Sequence, residues 1–574
     1  MNKSVRITIA HINDTHSYFE PTLIQLDLKT HNEHIRPFVS TGGFARITTR
    51  KNELKKKAAL QKRGFLFLHA GDCFQGTLYF SLFKGMANAD LLNAIRIDAM
   101  TLGNHELDMG NAPVADFLER IEFPLLAGNW DLSQEDKNKP KRLSVKSNIH
   151  AFNSKAQRAN WITKVIQDEP VAIFGLSLDK MSDISNPDPD TPFINALEVA
   201  RATIAAIHKE GINKIILLSH LGYEEDKELA GQVDGIGLII GGHSHRLQGD
   251  LSKLGLGKEE AYGVHIKDTY VVQSGCNALA LGHCEISFSK DGKVTDFKGK
   301  NELLFSRKLH VEATQDLKET GNHDYMPYSP SNDIMQLLYH HPNVAICRKD
   351  PQIHQLLWSK YIPKVRALQK QIIAHNQYAR RHVRLPKDIK QGKGGSDLAP
   401  FIARSFYYML NKQGILVDFA IHNAGGVRSS LNSGKVTVAD ITGNILPFAV
   451  SIGVYHVNGA TLRLIIEGAI NNALNNGIEG TGTGSYPYAH HLSFTYISDA
   501  PLGQRVENLL WFNGDDWEKV EEDRIYVGTS SAYTMKGKEG YNAILQQVSP
   551  PFISPYSMSE CFIEFLQDNP DVLL

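Results

Sequence analysis

Gly103-Asn104-His105-Glu106-Leu107-Asp108 is the stretch on which the reading of this chain turns. The run ahead of it, Ile97-Asp98-Ala99-Met100-Thr101-Leu102, is largely apolar. An apolar run closed by a glycine predicts a buried strand that stops at a turn. Past that turn an amide oxygen, an imidazole and two carboxylates crowd into Asn104–Asp108. A polar turn whose His and Asp hydrogen-bond locally would account for the stretch taken alone. The decision comes from the other predicted strands.

Upstream, the β-branched run Val5 to Ile12 ends in Asn13-Asp14-Thr15-His16, and Phe65-Leu66-Phe67-Leu68 runs into Gly71-Asp72-Cys73. A segment around Ser40 to Arg46 opens a helix between them. Pro124 to Gly128 reads as a fourth strand ahead of Asn129-Trp130, and Asp131 to Lys155 as a polar, exposed insertion. Downstream, strands are predicted at Val171–Phe174, at Lys214–Leu218 running into Ser219-His220, and at Ile236–Ile240 running into Gly241-Gly242-His243-Ser244-His245. Two more follow at Tyr270–Gly275 and Leu281–Phe288, with helix over stretches such as Asn195–Glu210. The first domain is therefore α/β. Five of its strands end in ligand-type residues: Asp14 and His16; Asp72; Asn104 and His105; His220; His243 and His245. Active sites of layered α/β domains gather at strand ends. Gly321-Asn322-His323-Asp324 nearly repeats the opening motif, but the polar run Gln315 to Thr320 before it cannot be a buried strand, so it reads as a loop outside the site.

The bulk properties bound the rest. At 574 residues two or more domains are expected. With 42% hydrophobic residues and a formal net charge of −1, a nucleic-acid polymer or a membrane surface has no electrostatic support as a partner. Five scattered cysteines without a CxxC pair point to neither a disulfide scaffold nor a cysteine-zinc site. No apolar run reaches membrane-spanning length. A strand that starts almost at once leaves no room for a signal peptide, so a cytoplasmic protein is expected, or a periplasmic one if the chain is a processed form.

From Asp333 to His375 apolar residues including Ile353, Leu357, Tyr361, Val365 and Ile372 recur at helical steps, with Pro363 expected to kink or break the helix. The basic run Arg380 to Arg384 and the glycines around Lys393 follow. The expected division is a domain over 1–345, a linker helix region over 346–385 and a C-terminal domain over 386–574. In the last, Asp397 to Leu410 reads as a helix capped by Asp397, and Val417–Ile421 as a strand leading into Asn423-Ala424-Gly425-Gly426-Val427-Arg428.

Asp14, His16, Asp72, Asn104, His220, His243 and His245 exceed the four ligands of one tetrahedral site and nearly match two sites sharing a carboxylate, for which Asp72 is the natural bridge. Imidazole with carboxylate suits Zn, Mn, Fe or Co. Two divalent cations against two aspartates leave a positive site that attracts phosphate and generates hydroxide at neutral pH. His105 can stabilise or protonate the phosphoryl group, with Asp108 orienting it. Glu106 has no assigned role.

Asn13-Asp14-Thr15-His16, Gly71-Asp72, Gly103-Asn104-His105-Glu106 and Gly242-His243-Ser244-His245 resemble, in order, the calcineurin-like metallophosphoesterase motifs. Asn423 to Arg428, Leu446-Pro447-Phe448, Gly503 to Val506 and Gly537 to Tyr541 extend the resemblance to the two-domain 5'-nucleotidase family, which includes bacterial UDP-sugar hydrolases. The resemblance leaves stretches near 20–40, 131–160 and 310–345 uncovered. It implies a four-layer α/β/β/α metallophosphatase domain, a linker helix and a C-terminal α/β nucleotide-binding domain. It also implies the seven metal ligands above, His105 and Asp108 as catalytic, a base between Phe448 and Tyr541, and Asn423 and Arg428 on the base, ribose or phosphate. Two motifs depart from the family pattern. Lys538-Glu539 replaces Gly-Asp, leaving Glu539 to accept from ribose, and Lys393 stands near where an arginine is common, a point charge in place of a fork. The expected activity is release of phosphate from nucleoside monophosphates by in-line attack of metal-bound hydroxide, in a monomer or homodimer. The alternatives are a 2',3'-cyclic nucleotide phosphodiesterase with 3'-nucleotidase activity, a UDP-sugar or dinucleotide pyrophosphatase, and a nucleotide-binding protein with a silent metal site.

Overall fold

A computed structural model describes residues 3–312, 325–386, 395–447, 450–475, 482–501 and 503–574. Gly321–Asp324, Lys393 and Phe448 lie outside the described residues. The chain divides into two compact units, Met1–Gln75 with Leu82–Ile362 and Gly76–Ser81 with Pro363–Leu574.

The first unit is built on two sheets. In one, Leu125–Ala127, Ala99–Thr101, Gly64–His69 and Val5–Ile12 lie side by side and parallel, and the antiparallel strands Ala280–Phe288 and Val294–Glu312 continue the sheet. In the other, Glu169–Ser177, Ile215–His220, Leu238–Ile240 and Thr269–Val272 form a parallel block. Strand alternation divides the apolar residues between layers. Ile216, Leu218, Leu238 and Ile240 pack with Val5, Ile7, Ile9, Leu66 and Leu68 in the core between the sheets. Their neighbours Ile215, Leu217 and Ile239 join Phe174 and the helices Ala196–Lys209 and Tyr223–Gln232 in a second core on the outer face. Helix Phe44–Leu60 packs on the first sheet. Strands buried on both faces need continuous apolar runs, which is why these strands stand out in the sequence. The result is the four-layer α/β/β/α arrangement.

Three local readings are corrected. The stretch Asp333–His375 is not one helix. It contains helix Asn332–His340, strand Val344–Ile346, helix Pro351–Leu356, a π-turn at Leu357–Tyr361, helix Ile362–Gln369 and strand Ile372–Asn376. Pro363, which has no N–H to offer the preceding turn, is absorbed by the π-turn ahead of it instead of ending the helix. The cap of helix Ala399–Lys412 is not Asp397: the Ser396 hydroxyl accepts from the amides of Leu398 and Ala399 at 3.2 and 3.0 Å. The polar stretch after Asp131 is not a mere surface excursion. Leu132, Glu135 and Leu143 are buried, the Glu135 carboxylate accepts from the amides of Leu143 and Ser144 at 2.9 and 2.8 Å, and Ile149–Asn153 adds a strand to the sheet.

The second unit carries a five-stranded sheet in the order Pro487–His490, Phe419–Asn423, Ile525–Ser531, Ser451–Asn458, Phe552–Ser557. Helices Ala399–Lys412, Gly459–Asn475 and Met558–Asp568 accompany it, so this unit is α/β as well. No helix among the described residues is long and apolar enough to cross a membrane.

Candidate active site

The parallel strands of the first unit end together, and their ends carry the donors. Asp14 and His16 follow Val5–Ile12, Asp72 follows Gly64–His69, Asn104 follows Ala99–Thr101, His220 closes Ile215–His220, and His243 and His245 follow Leu238–Ile240. The donor atoms of Asp14, His16 and His245 lie within 4.8 Å of one another, as do those of Asp72, His220 and His243. Asn104 joins the second group, its Oδ1 lying 2.9 Å from His243 Nδ1 and 3.3 Å from His220 Nε2.

The backbone is bent to bring this about. Asp14, His16, Asp72, His243 and His245 all have positive φ, between 45° and 72°. The left-handed region costs a residue with a side chain about 1–2 kcal/mol, and such strain clusters where function needs it. Turns this sharp also need close approach: a Cβ on Gly103 would meet Asp72 Oδ1 at 2.1 Å.

Hydrogen bonds fix which ring nitrogen faces inward. His16 Nδ1 is 3.1 Å from the Phe74 carbonyl and His220 Nδ1 is 2.7 Å from the Ala70 carbonyl. Both rings therefore donate from Nδ1 and turn the Nε2 lone pair toward the cluster, a pattern typical of metal-binding imidazoles. His16 Nε2 then lies 3.1 Å from His245 Nε2, and His220 Nε2 lies 3.2 Å from Asp72 Oδ2. Converging lone pairs and carboxylates at these separations suit a cation, so the residues present fit divalent metal ions.

Without a cation, protons do the neutralising. Burial opposes charge on His220, but Asp72 outweighs it and raises the imidazole to about 9. A hydrogen bond with Asp14 and another with Cys276 raise His245 to about 10. Burial and the neighbouring His220 lower His243 to about 4, and burial lowers His16. Asp72 is held well below the usual carboxylate range because His220 and His105 overcome its burial.

His105 belongs to neither donor group. Its Nδ1 meets Asp108 Oδ2 at 2.6 Å. Burial works against a charged ring, but Asp108 and Asp72 outweigh it and raise His105 to about 10, so an imidazolium stands beside the donors.

In the second unit Asn423, Glu539 and Tyr541 gather around Ser485. Asn423 Nδ2 donates to Glu539 Oε2 at 3.2 Å, and the Ser485 and Tyr533 hydroxyls approach the same carboxylate at 3.5 Å. Arg428 is exposed, with Nη1 3.3 Å from the Gly425 carbonyl on the same turn. Tyr541 departs from the expected open stacking face. Its ring is fully buried and its hydroxyl donates to the Ser485 carbonyl at 2.9 Å, so here it packs as an interior residue.

Residues 7–247 match the calcineurin-like phosphoesterase family, and residues 377–546 match the 5'-nucleotidase C-terminal domain. The chain is 30% identical over 590 residues to an NAD 5'-nucleotidase of Haemophilus influenzae, covering 99% of this chain and 91% of that protein. It is 31% identical over 559 residues to a probable 5'-nucleotidase of Treponema pallidum, covering 95% and 88%. The chain belongs to the 5'-nucleotidase family. A solved structure of a 5'-nucleotidase precursor from Thermus thermophilus superposes with a TM-score of 0.65 at 26% identity, covering 98% of this chain and 97% of that one. This family member is accordingly an enzyme, a metal-dependent phosphohydrolase.

One residue of this 5'-nucleotidase-family site escaped the sequence reading. Glu106 is 1% exposed, and its carboxylate accepts four backbone amides. Oε1 takes Cys73 at 2.7 Å and Phe74 at 3.0 Å, while Oε2 takes Gly103 at 2.7 Å and Asp72 at 3.1 Å. Four donors and no acceptor leave no place for a proton, so Glu106 is held as the anion although burial and the nearby Asp72 work against the charge. It ties the Asp72 turn to the Gly103 turn. Nothing in its spacing signals this, because three of its four partners lie more than thirty residues away.

Proposed function

We propose that the chain is a 5'-nucleotidase that releases phosphate from nucleoside 5'-monophosphates at a pair of divalent cations, Zn, Mn, Fe or Co. The observation that carries this reading is the convergence of seven strand-end donors, five of them held in left-handed backbone. Asp14, His16 and His245 would hold one cation and Asn104, His220 and His243 the other, with Asp72 shared between them. When bound, such cations lower the pKa of water and neutralise phosphoryl charge. His105 is the acidic group. With Nδ1 engaged by Asp108, the proton on Nε2 is the one available to a phosphoryl or leaving oxygen, and the charge on the ring stabilises negative charge as it develops there.

Nucleoside recognition falls to the C-terminal domain over 386–574, joined to the metal-binding domain over 1–345 through 346–385. Asn423 and Glu539 offer a donor and an acceptor to base and ribose, Arg428 and Lys393 supply positive charge for phosphate, and Phe448 supplies an aromatic face. Tyr541, enclosed as it is, forms the floor beneath the Ser485 turn.

The deciding experiment follows product formation by chromatography with added manganese: adenosine and phosphate from AMP, a nucleoside monophosphate from a 2',3'-cyclic nucleotide, UMP from a UDP-sugar, and AMP with nicotinamide mononucleotide from NAD. NAD belongs in the panel because of the Haemophilus influenzae relative. The mononucleotide should be hydrolysed fastest, and His105→Asn should lower kcat by about 10²–10⁴-fold while the protein keeps its metal. No turnover of any substrate would overturn the reading.

A further inference from the structure

The loop Gly103–Asp108 is gripped from a second side, by the segment that follows strand Glu169–Ser177. Ser185, 2% exposed, points its hydroxyl between two acceptors, the Asn104 carbonyl at 2.6 Å and Asp108 Oδ1 at 3.1 Å. Its neighbour Asn186 adds two more ties: its amide donates to the Leu107 carbonyl at 3.1 Å and its Nδ2 to the Asp108 carbonyl at 2.7 Å. This segment is anchored in turn. Asn111 accepts from the Asp188 amide at 3.1 Å and donates to Thr191 Oγ1 at 2.9 Å. Lys139, from the polar stretch after Asp131, reaches both Asp188 and Asp190, at 2.7 and 2.5 Å. That stretch therefore braces the turn that holds the catalytic loop.

Asp108 has two carboxylate oxygens with separate tasks. Oδ2 sits on His105 Nδ1, and Oδ1 faces Ser185. A carboxylate tethered through one oxygen can still swing about its Cβ–Cγ bond, and the Ser185 hydroxyl, its single proton shared between the Asn104 carbonyl and Oδ1, restricts that swing. We infer that Ser185 is a positioning residue for the phosphohydrolase reaction, acting through Asp108 to hold the His105 imidazole on line. Ser185 is buried, and its hydroxyl contacts lie within the loop. The inference rests on the reading of His105 and Asp108 as the acid and its orienter.

The backbone of Ser185 is placed without its side chain, because its amide donates to the Met181 carbonyl at 2.8 Å and both Asn186 contacts remain when the hydroxyl is removed. Ser185→Ala should therefore fold. A kinetic double-mutant cycle on AMP and p-nitrophenyl phosphate, with bound metal and Tm measured alongside, separates positioning from packing. Ser185→Ala is expected to lower kcat about tenfold or more on both substrates with KM and metal content unchanged and Tm lowered only by the loss of its buried hydrogen bond, and Ser185→Thr to recover part of the loss. In an Asp108→Ala background, where only the Asn104 carbonyl contact is left to Ser185, the loss caused by Ser185→Ala should shrink severalfold. Wild-type kcat in Ser185→Ala, or an undiminished loss in the Asp108→Ala background, would overturn the inference. If Ser185→Ala is silent while His105→Asn collapses turnover, only the role of Ser185 falls. If His105→Asn itself turns over normally, the reading beneath it falls as well.

Discussion

The two units bring functional groups together in different ways. In the first, every donor hangs from the end of a parallel strand buried on both faces, and Glu106, Asn13 and the Ala70 and Phe74 carbonyls tie the turns down. In the second, Asn423 ends a strand, but Glu539 comes from a short 3₁₀ turn, Tyr541 directly follows it, and Arg428 stands exposed in the irregular chain past another such turn, Ala424–Gly426. The contrast follows from the chemistry. Divalent cations tolerate donor errors of only a few tenths of an ångström, so the scaffold must be over-determined. A nucleoside can be held by a few adaptable hydrogen bonds and an aromatic face, which turns can supply. Substitutions in the first unit should therefore be severe and act on every substrate, whereas those in the second should be graded and selective.

The largest effect is expected at Asp72. Asp72→Asn removes a negative charge from between His220 and the His105 amide, which lie 3.2 and 2.9 Å from its two oxygens. Metal analysis should find both cations lost, and phosphate release should fall by roughly 10³-fold or more, since the loss exceeds that of a single transition-state donor. One retained metal with partial activity would show that Asp72 is not shared, and would make the first unit less tightly coupled than the comparison holds.

Glu106→Gln comes next. The amide group of glutamine would point N–H toward two of the four backbone donors, so two buried amides lose their acceptor. Supporting residues of this kind change metal affinity or activity by about 10–100-fold. Titration of the metal-free protein with manganese should show that loss, with Tm lowered as well. An unchanged affinity would mean that the strand ends alone hold the Asp72 turn.

Metal binding should also depend on pH, with a defined sign. In the metal-free protein His220 and His245 are raised to about 9 and about 10, so both carry protons at neutral pH. A cation needs the same lone pairs, so binding expels protons and weakens as the pH falls. Below about pH 9 affinity should rise up to about tenfold per pH unit for each imidazole that gives up a proton. Calorimetry in buffers of different ionisation enthalpy counts the protons released. A count of zero would contradict the protonated donors.

How much of this was legible in the sequence follows the same division. The strands Ile215–His220 and Leu238–Ile240 could be read because burial on both faces demands unbroken apolar runs, and the ligand-type residues at their ends followed at once. Ile372 misled because a strand entering at a helical step looks like helix until Gln371 is seen to turn the chain. Asp397 misled because the helix starts later than its apolar pattern suggests, with Leu398 in the cap position, and the Ser396 hydroxyl takes the amides there. Glu106 and Ser185 were silent because their partners are backbone groups and carboxylates distant in sequence, and no spacing rule reaches across such gaps. Tyr541 was placed by resemblance alone, which supplies a residue's position in a motif but not the packing around its ring.

The smallest effect, and the most selective, belongs to Asn423. Its Nδ2 contact with Glu539 holds that carboxylate, whose backbone sits at φ 55°, toward the Ser485 turn. Asn423→Ala removes the donor but nothing that a metal or His105 uses. One hydrogen bond to a charged acceptor is worth about 1.5 kcal/mol at the lower end of its range, so KM for AMP should rise about tenfold. Turnover of p-nitrophenyl phosphate, which has neither base nor ribose, should stay within about twofold of wild type, as should kcat for AMP. Glu539→Gln keeps the shape and removes the charge, so it should raise KM for AMP in the same direction if Glu539 accepts from ribose hydroxyls. Equal losses on AMP and p-nitrophenyl phosphate in Asn423→Ala would mean that the residue supports the fold of its unit. The second unit would then be as over-determined as the first, and the contrast between them would fail where it is easiest to measure.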